Sequence, residues 1–331
     1  MTTTSLRLNM TGAEKDPEQR ALRYRTAIDM AAYADRHGFT YVNVEEHHCA
    51  ENGWLPSPLT MAAAIAARTD NINIGVMALL VSLYDPVRLA EDIAVIDLLS
   101  KGRLSFIAGL GYRKLEFQAL NKPFEDRGAW MDHVLETLLK AWGNEPFEYR
   151  GELINVTPKP YSQPHPAFMV GGMSRPAARR AARFGLPFSP PTQNDELEAY
   201  YHQQLKKHGK QGFVVAPPAD FSLIFVDPDP EAAWAEIGPC FLNEVQEYNS
   251  WSMSGLVRPM ETQGTGVEAI RASGQYEILT PDVCRQRLHD DPERNMVLHP
   301  LAGGIPIDRA WQCIQLYTES VLNQFCELPD T

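Results

Sequence analysis

Leu6, Leu8 and Met10 alternate with polar neighbours, which predicts a first strand over residues 5–10 with one covered face. The period then changes. From Pro17 to Arg36 the apolar positions Ala21, Tyr24, Ile28, Ala31, Ala32 and Ala34 recur at helical spacing, and His37-Gly38 supplies a stop. A second strand follows over residues 38–48, running through Phe39, Tyr41, Val42, Asn43 and Val44 into Glu45-Glu46-His47-His48. Ser57 and Pro58 open the next helix, through Arg68. The serine is a candidate cap, and the proline sits at the first helical position, where its missing N–H costs nothing. Residues 71–81 predict a third strand, apolar throughout its second half as expected when both faces are covered. Asp85-Pro86 starts another helix through Leu99, closed by Lys101-Gly102. Residues 104–110 form a fourth strand that runs into Gly109-Leu110-Gly111-Tyr112.

Strand and helix thus alternate four times with short links, which demands parallel strands and right-handed crossovers. The length and the continued alternation favour an α/β fold of the (β/α)8 TIM-barrel type over an open sheet. Residues 168–170, 186–189, 221–226 and 296–299 are the expected strands five to eight. Residues 227–295, between strands seven and eight, are expected as an insertion or lid-like segment. The final helix, 306–325, carries Ile307, Trp311, Ile314, Tyr317, Val321 and Leu322 at helical spacing. Residues 1–331 are expected as a single barrel domain.

Composition adds limits. With 44% hydrophobic and 22% charged residues, the 331-residue chain has ample material for a core. Its formal net charge of −12 argues against nucleic acid as a partner. The longest apolar candidate for a membrane span is broken by Asp85-Pro86, and no basic region precedes an apolar core at the N-terminus. No membrane association and no signal peptide are therefore expected. The five cysteines, Cys49, Cys240, Cys284, Cys313 and Cys326, form no Cys-x-x-Cys pair, which suits reduced, mostly buried thiols in a cytoplasm.

In a parallel barrel, function sits at the carboxyl ends of the strands, and four features fall there. The first is Glu45-Glu46-His47-His48. Val42, Val44, Glu46 and His48 share one face of the strand, and Asn43, Glu45 and His47 the other. Valines belong under the helices, so Glu45 and His47 should point inward, with Glu46 and His48 structural. That division makes a metal site built from the four residues awkward, and no metal is expected. The second feature is Met77-Ala78 near the end of strand three. The third, Gly109-Leu110-Gly111-Tyr112, lacks the last glycine of a dinucleotide fingerprint and follows the fourth strand, so its glycines suit close approach of a planar ligand. The fourth is Gly171-Gly172-Met173-Ser174-Arg175-Pro176, a glycine-rich turn with a capping serine entering a helix, which suits a phosphate cradle or an ordinary helix cap alike. Arg179, Arg180 and Arg183 beyond it read as a solvated helix face. No Gly-x-Ser-x-Gly elbow, Walker A loop or His-Glu-x-x-His occurs.

With these residues in hand, the chain resembles the bacterial luciferase-like flavin monooxygenases. The similar stretches include Gly38-Phe39 with Glu46-His47-His48, Pro56-Ser57-Pro58, Ile72-Asn73-Ile74-Gly75, Asp85-Pro86-Val87-Arg88, Ser100-Lys101-Gly102-Arg103, Gln163-Pro164-His165-Pro166, Gly171-Gly172 and Leu298-His299-Pro300. The resemblance implies a barrel that uses reduced FMN and O2 on a small-molecule substrate. It makes His47 the catalytic histidine, with Glu45 its companion. It places Met77-Ala78 at a non-prolyl cis peptide under the flavin, and Gly109, Gly111 and Tyr112 along the ribityl and phosphate path. Gly171, Gly172, Met173, Ser174 and Arg175 fall in the flavin-phosphate loop. An arginine and a threonine that serve the phosphate in the luciferase α chain fall here at Gly109 and Ala177. No NAD(P)H-binding signature is evident, so a separate, transiently bound flavin reductase is expected, as is a homodimer. Two other readings remain open: an F420-dependent oxidoreductase that passes hydride, and a non-catalytic flavin-binding subunit.

Overall fold

The computed structural model describes residues 3–12, 16–251 and 265–326. In chain order the elements are β1 (Thr3–Leu8), α1 (Pro17–Arg36), β2 (Tyr41–Val44), α2 (Pro58–Ala66), β3 (Asn73–Leu79), α3 (Pro86–Ser100), β4 (Leu104–Ala108), α4 (Lys114–Ala119) and α5 (Arg127–Trp142). There follow β5 (Phe147–Tyr149), β6 (Glu152–Ile154), β7 (Ala167–Gly171), α6 (Arg175–Phe184), β8 (Phe188–Ser189) and α7 (Asp195–His208). The chain ends with β9 (Leu223–Val226), α8 (Pro230–Ser250), α9 (Val267–Ser273), β10 (Tyr276–Leu279), α10 (Pro281–Asp290), β11 (Asn295–Leu298), α11 (Ile307–Tyr317) and α12 (Asn323–Cys326). Apart from the β5–β6 hairpin, the recorded strand pairs run parallel, as strand–helix alternation requires. Among the described residues no helix is long and apolar enough to cross a membrane.

Two compact units divide the chain. One gathers Met1–Pro56, Arg68–Ile74 and Asp220–Thr331; the other takes Ser57–Ala67 and Gly75–Ala219. In the first unit the strand order is β10-β9-β11-β1-β2. Ser5 pairs with both Val297 and Tyr41, so β1 lies between β11 and β2. Val42, Val44, Leu6, Leu8 and Leu298 are wholly buried. The stretch 227–295 contains α8, α9, β10 and α10, and β10 pairs in parallel register with β9, Tyr276 opposite Leu223. Within that stretch, residues 252–264 lie outside the described residues.

Helix α1 has the expected bounds because Asp16 caps it, accepting from Glu18 N, and Pro17 stands at its first position. Its buried face differs from the apolar stripe. Arg23 and Thr26 are buried while Tyr24 is 37% exposed, because the Arg23 guanidinium finds the Ile305 carbonyl at 3.0 Å. Asp35, near the end of α1, accepts the N–H groups of Asp70, Asn71 and Ile72 and so ties down the turn into β3. After β11 a short turn meets α8 at close quarters. A Cβ on Gly303 would fall 1.7 Å from the Cys240 carbonyl oxygen, and φ there is +54°, so only glycine fits. Helix α11 passes into a π-helical turn, Thr318–Leu322, before α12. Cys313 is buried, takes a hydrogen bond from Val226 N on its Sγ at 3.2 Å, and has its thiol pushed up to about 12 by burial. Cys284 is likewise buried, whereas Cys49 is exposed; the side chain of Cys326 lies outside the described set.

The second unit has the order β3-β4-β7-β8, with β8 only two residues long and Phe188 bridging to Val214. Ser57 makes no side-chain cap bond at α2, unlike Asp85 at α3, which accepts from Val87 N and Arg88 N. Met77 and Ala78 are half-buried, so the end of β3 is not covered on both faces. Arg180, expected at a solvated face, is 9% exposed because Asp132 of α5 takes its guanidinium and Gly128 O accepts a further bond. Asp97 on α3 is wholly buried, with its carboxylate accepting from Ser162 N at 2.7 Å and Ser162 Oγ at 3.1 Å. Asp97→Ala should cost about 2–4 kcal/mol by removing two charge-assisted hydrogen bonds and leaving Ser162 unanswered. A lower urea midpoint at unchanged slope checks this; an unchanged midpoint would contradict it.

Candidate active site

In the first unit the chain leaves β2 after Val44, and Glu45, Glu46, His47 and His48 follow in succession. Glu45 turns to β1, where Arg7 donates to both its oxygens through Nε and, at 2.9 Å, Nη2. Glu46 is buried and faces His48, whose Nε2 lies 3.0 Å from its Oε1, so these two share a side although the strand has ended at Val44. His47 is buried at 8% exposure, and its backbone N–H donates to Leu55 O. Its ring meets Trp54 edge-on at 5.1 Å, Tyr248 at 6.3 Å and Trp251 at 4.5 Å. Trp54 and Trp251 also approach one another, with centroids 5.4 Å apart, so three aromatic rings enclose the imidazole.

Behind this lies a charge cluster that strand patterning did not single out. Glu244 of α8 is wholly buried. Its carboxylate takes hydrogen bonds from Thr11 Oγ1 (2.6 Å), Tyr276 OH (2.9 Å) and Arg7 Nη1 (3.2 Å), and lies 3.0 Å from His299 Nε2. Burial alone would raise the Glu244 pKa. The charges of His299 and Arg7 and the hydrogen bonds from His299 and Thr11 outweigh it, holding the carboxyl well below the usual range. Burial likewise opposes the Arg7 charge, and the carboxylates of Glu45 and Glu244 overcome that opposition. Tyr276 moves the other way: burial and then the Glu244 charge push its hydroxyl well above the ordinary value. The signal was present in the sequence. Glu244 stands among Phe241, Val245 and Tyr248 on the apolar side of its helix, where a lone carboxylate requires partners.

The second unit holds the remaining candidates. The peptide bond between Met77 and Ala78 is cis. A Cβ on Gly109 would lie 3.1 Å from both Ala78 Cβ and Leu80 Cδ2, so this glycine admits the neighbouring strand β3. Gly171 is similar, with Ile107 Cγ2 at 2.6 Å from such a Cβ. Gly111 packs on Phe117, and Tyr112, half-buried, follows it. Gly172 has φ +143°, and a side chain there would meet Ala177 Cβ at 2.7 Å, so bare backbone lies against the first turn of α6. Met173 is half-buried. Ser174 caps the helix, its Oγ accepting from Ala177 N at 3.4 Å. Arg175 is exposed and lies over the Tyr200 ring at 5.3 Å. Among the described residues no group of three or more His, Cys, Asp or Glu side chains is placed to hold a metal ion.

Comparison with known proteins places this geometry. The family model described as luciferase-like monooxygenase matches residues 4–293. The alkanal monooxygenase beta chain of Vibrio harveyi is 26% identical over 193 residues, covering 55% of this chain and 59% of that protein. The FMNH2-dependent dimethylsulfone monooxygenase of Pseudomonas putida is 27% identical over 164 residues, covering 46% and 45%. The chain thus spans about half the length of the curated relatives it matches. Among solved structures, the oxygenating constituent of 3,6-diketocamphane monooxygenase from Pseudomonas putida, in complex with FMN, superposes with a TM-score of 0.70 at 17% identity, covering 99% of each chain.

Glu244→Gln should cost about 3–5 kcal/mol at neutral pH, because Arg7 and His299 stay buried while the charge that answers them is lost. The lowered Glu244 pKa makes this contribution fully present above the ordinary Glu value of about 4.3 and progressively lost as pH falls below it. The stability gap between the two proteins by urea titration should therefore narrow steadily as pH falls from about 4 to 2. A gap that stays constant through that window would contradict the assignment.

Proposed function

Because the chain belongs to the luciferase-like monooxygenase family, we propose that it is a flavin-dependent monooxygenase that uses reduced FMN and O2 on a small organic substrate. The observation that carries this reading is His47, an imidazole at the carboxyl end of β2, buried and walled by Trp54, Tyr248 and Trp251. A relative named for FMNH2 and a structural neighbour that binds FMN support the choice of flavin.

The residues present suit the group. Gly172 keeps bare backbone against the first turn of α6, whose N-terminus favours an anion, so Gly171, Gly172, Met173 and Ser174 would hold the phosphate. When bound, reduced FMN supplies the electrons for oxygen activation. The chain's part is binding, proton handling and exclusion of water. His47 can hold or deliver a proton at its ring nitrogens, since an imidazole serves as acid or base near neutral pH. The surrounding rings keep water from it, which strengthens every polar interaction there. Arg7 holds Glu45 by two hydrogen bonds, so the negative charge next to His47 in the chain is fixed in place. Reduced flavin would come from a separate reductase that binds transiently.

His47→Ala should lower substrate oxygenation about 10²-fold or more while FMN affinity is kept. Unchanged turnover would remove His47 from the mechanism. Fluorescence titrations with FMN and F420 test the cofactor, with tighter FMN binding expected. Preference for F420 would instead favour a hydride-transferring oxidoreductase.

A further inference from the structure

Three buried hydrogen-bond donors near His47 have no partner among the described residues: Nδ2 of Asn9, Nδ2 of Asn52 and Nε1 of Trp54. None of the three residues is more than 5% exposed. They sit on two segments, residues 9–12 and 52–55, joined by backbone hydrogen bonds. Leu55 N donates to Asn9 O at 2.9 Å, Gly12 N to Asn52 O at 2.8 Å, and Trp54 N to Asn52 Oδ1 at 3.3 Å.

The orientation of both amides follows from these bonds. Asn9 Oδ1 accepts from Thr11 N at 3.2 Å, which fixes the amide oxygen and turns its NH2 group elsewhere. Asn52 Oδ1 is occupied by Trp54 N, which leaves its NH2 as the outstanding group. Trp54 Nε1 can only donate. A buried donor left without an acceptor costs about 1–3 kcal/mol. Three of them on two adjoining segments, all of the same polarity, call for an acceptor that the described residues do not provide.

Charge and shape narrow the acceptor. Thr11, which holds Asn9, also donates to the buried Glu244 carboxylate at 2.6 Å, and the carboxylates of Glu244 and Glu45 already take up the charges of Arg7 and His299. A further anion beside them is disfavoured, whereas a neutral oxygen is not. The Trp54 ring stands edge-on to His47, and Tyr248 and Trp251 complete an aromatic surface suited to a flat apolar body.

We propose that Asn9, Asn52 and Trp54 form a specificity site for the neutral carbonyl oxygen of a flat aromatic substrate, an aryl ketone or quinone, presented to His47. The inference rests on the proposed monooxygenase reading and names its substrate class.

The test is calorimetric binding to the flavin-free full-length protein of 1-tetralone, of tetralin, which differs by that one carbonyl, and of 1-naphthoate. The ketone should bind at least about tenfold tighter than the hydrocarbon, and tighter than the carboxylate. Trp54→Phe keeps a ring and removes one donor, and should reduce the ketone-to-hydrocarbon ratio about fivefold. Asn52→Asp keeps the acceptor for Trp54 N and replaces the outstanding donor with an oxygen, and should abolish the ratio. Equal binding of ketone and hydrocarbon to the unaltered protein would overturn the proposal, and this arm does not depend on any variant folding. So would a ratio unmoved in both variants, or tighter binding of naphthoate. Continued FMN binding and oxygen-dependent turnover alongside any of these failures would overturn the carbonyl site alone and leave the monooxygenase reading intact.

Discussion

The carboxylate of Glu244 is wholly buried, and much of the first unit is arranged to answer its charge. Arg7 reaches it from β1, Thr11 from the segment after β1, Tyr276 from β10 and His299 from the end of β11. Three separate stretches of chain thus converge on one helical side chain. Such a cluster is a poor source of net stability, because desolvation offsets most of the attraction. It is a strict condition on geometry, since a misplaced partner leaves a charge buried and uncompensated.

That condition extends toward the imidazole. Arg7 divides its guanidinium between Glu244 and Glu45, and Glu45 is followed by Glu46 and His47. One turn along α8 from Glu244, Tyr248 meets the ring of His47, and Trp251 meets it again at the helix end. The helix that supplies the buried charge therefore also supplies two walls of the aromatic enclosure. A rigid frame of this kind suits a catalytic group that must be held dry and in one orientation.

How much of this was legible depends on whether the signal was local. Helices α1 and α3 stand where the pattern puts them, because Asp16-Pro17 and Asp85-Pro86 write a cap and a first residue into adjacent positions. Glu46 pairs with His48, apart from His47, as the alternation suggested, although β2 itself ends at Val44. What escaped was decided by distant partners. Arg180 is buried because Asp132, 48 positions earlier, receives it. Arg23 displaces Tyr24 from the covered face because the Ile305 carbonyl lies 282 positions away. Glu244 looked like one more charge in a long helix until Arg7 and His299 came beside it. The short strand β10 was hidden for a related reason: its parallel pairing with β9 becomes visible only once the intervening helices have turned the chain back.

The central claim is that this chain takes up reduced FMN and controls its reaction with oxygen. The most direct measurement mixes the anaerobic protein–FMNH2 mixture with aerated buffer in a stopped-flow instrument and follows the absorbance of oxidised FMN at substoichiometric flavin. Protein-bound flavin should reoxidise with a time course separate from that of free FMNH2, slower in the absence of substrate, because the flavin is withdrawn from bulk water. A trace superimposable on that of free FMNH2 at every protein concentration would contradict the account.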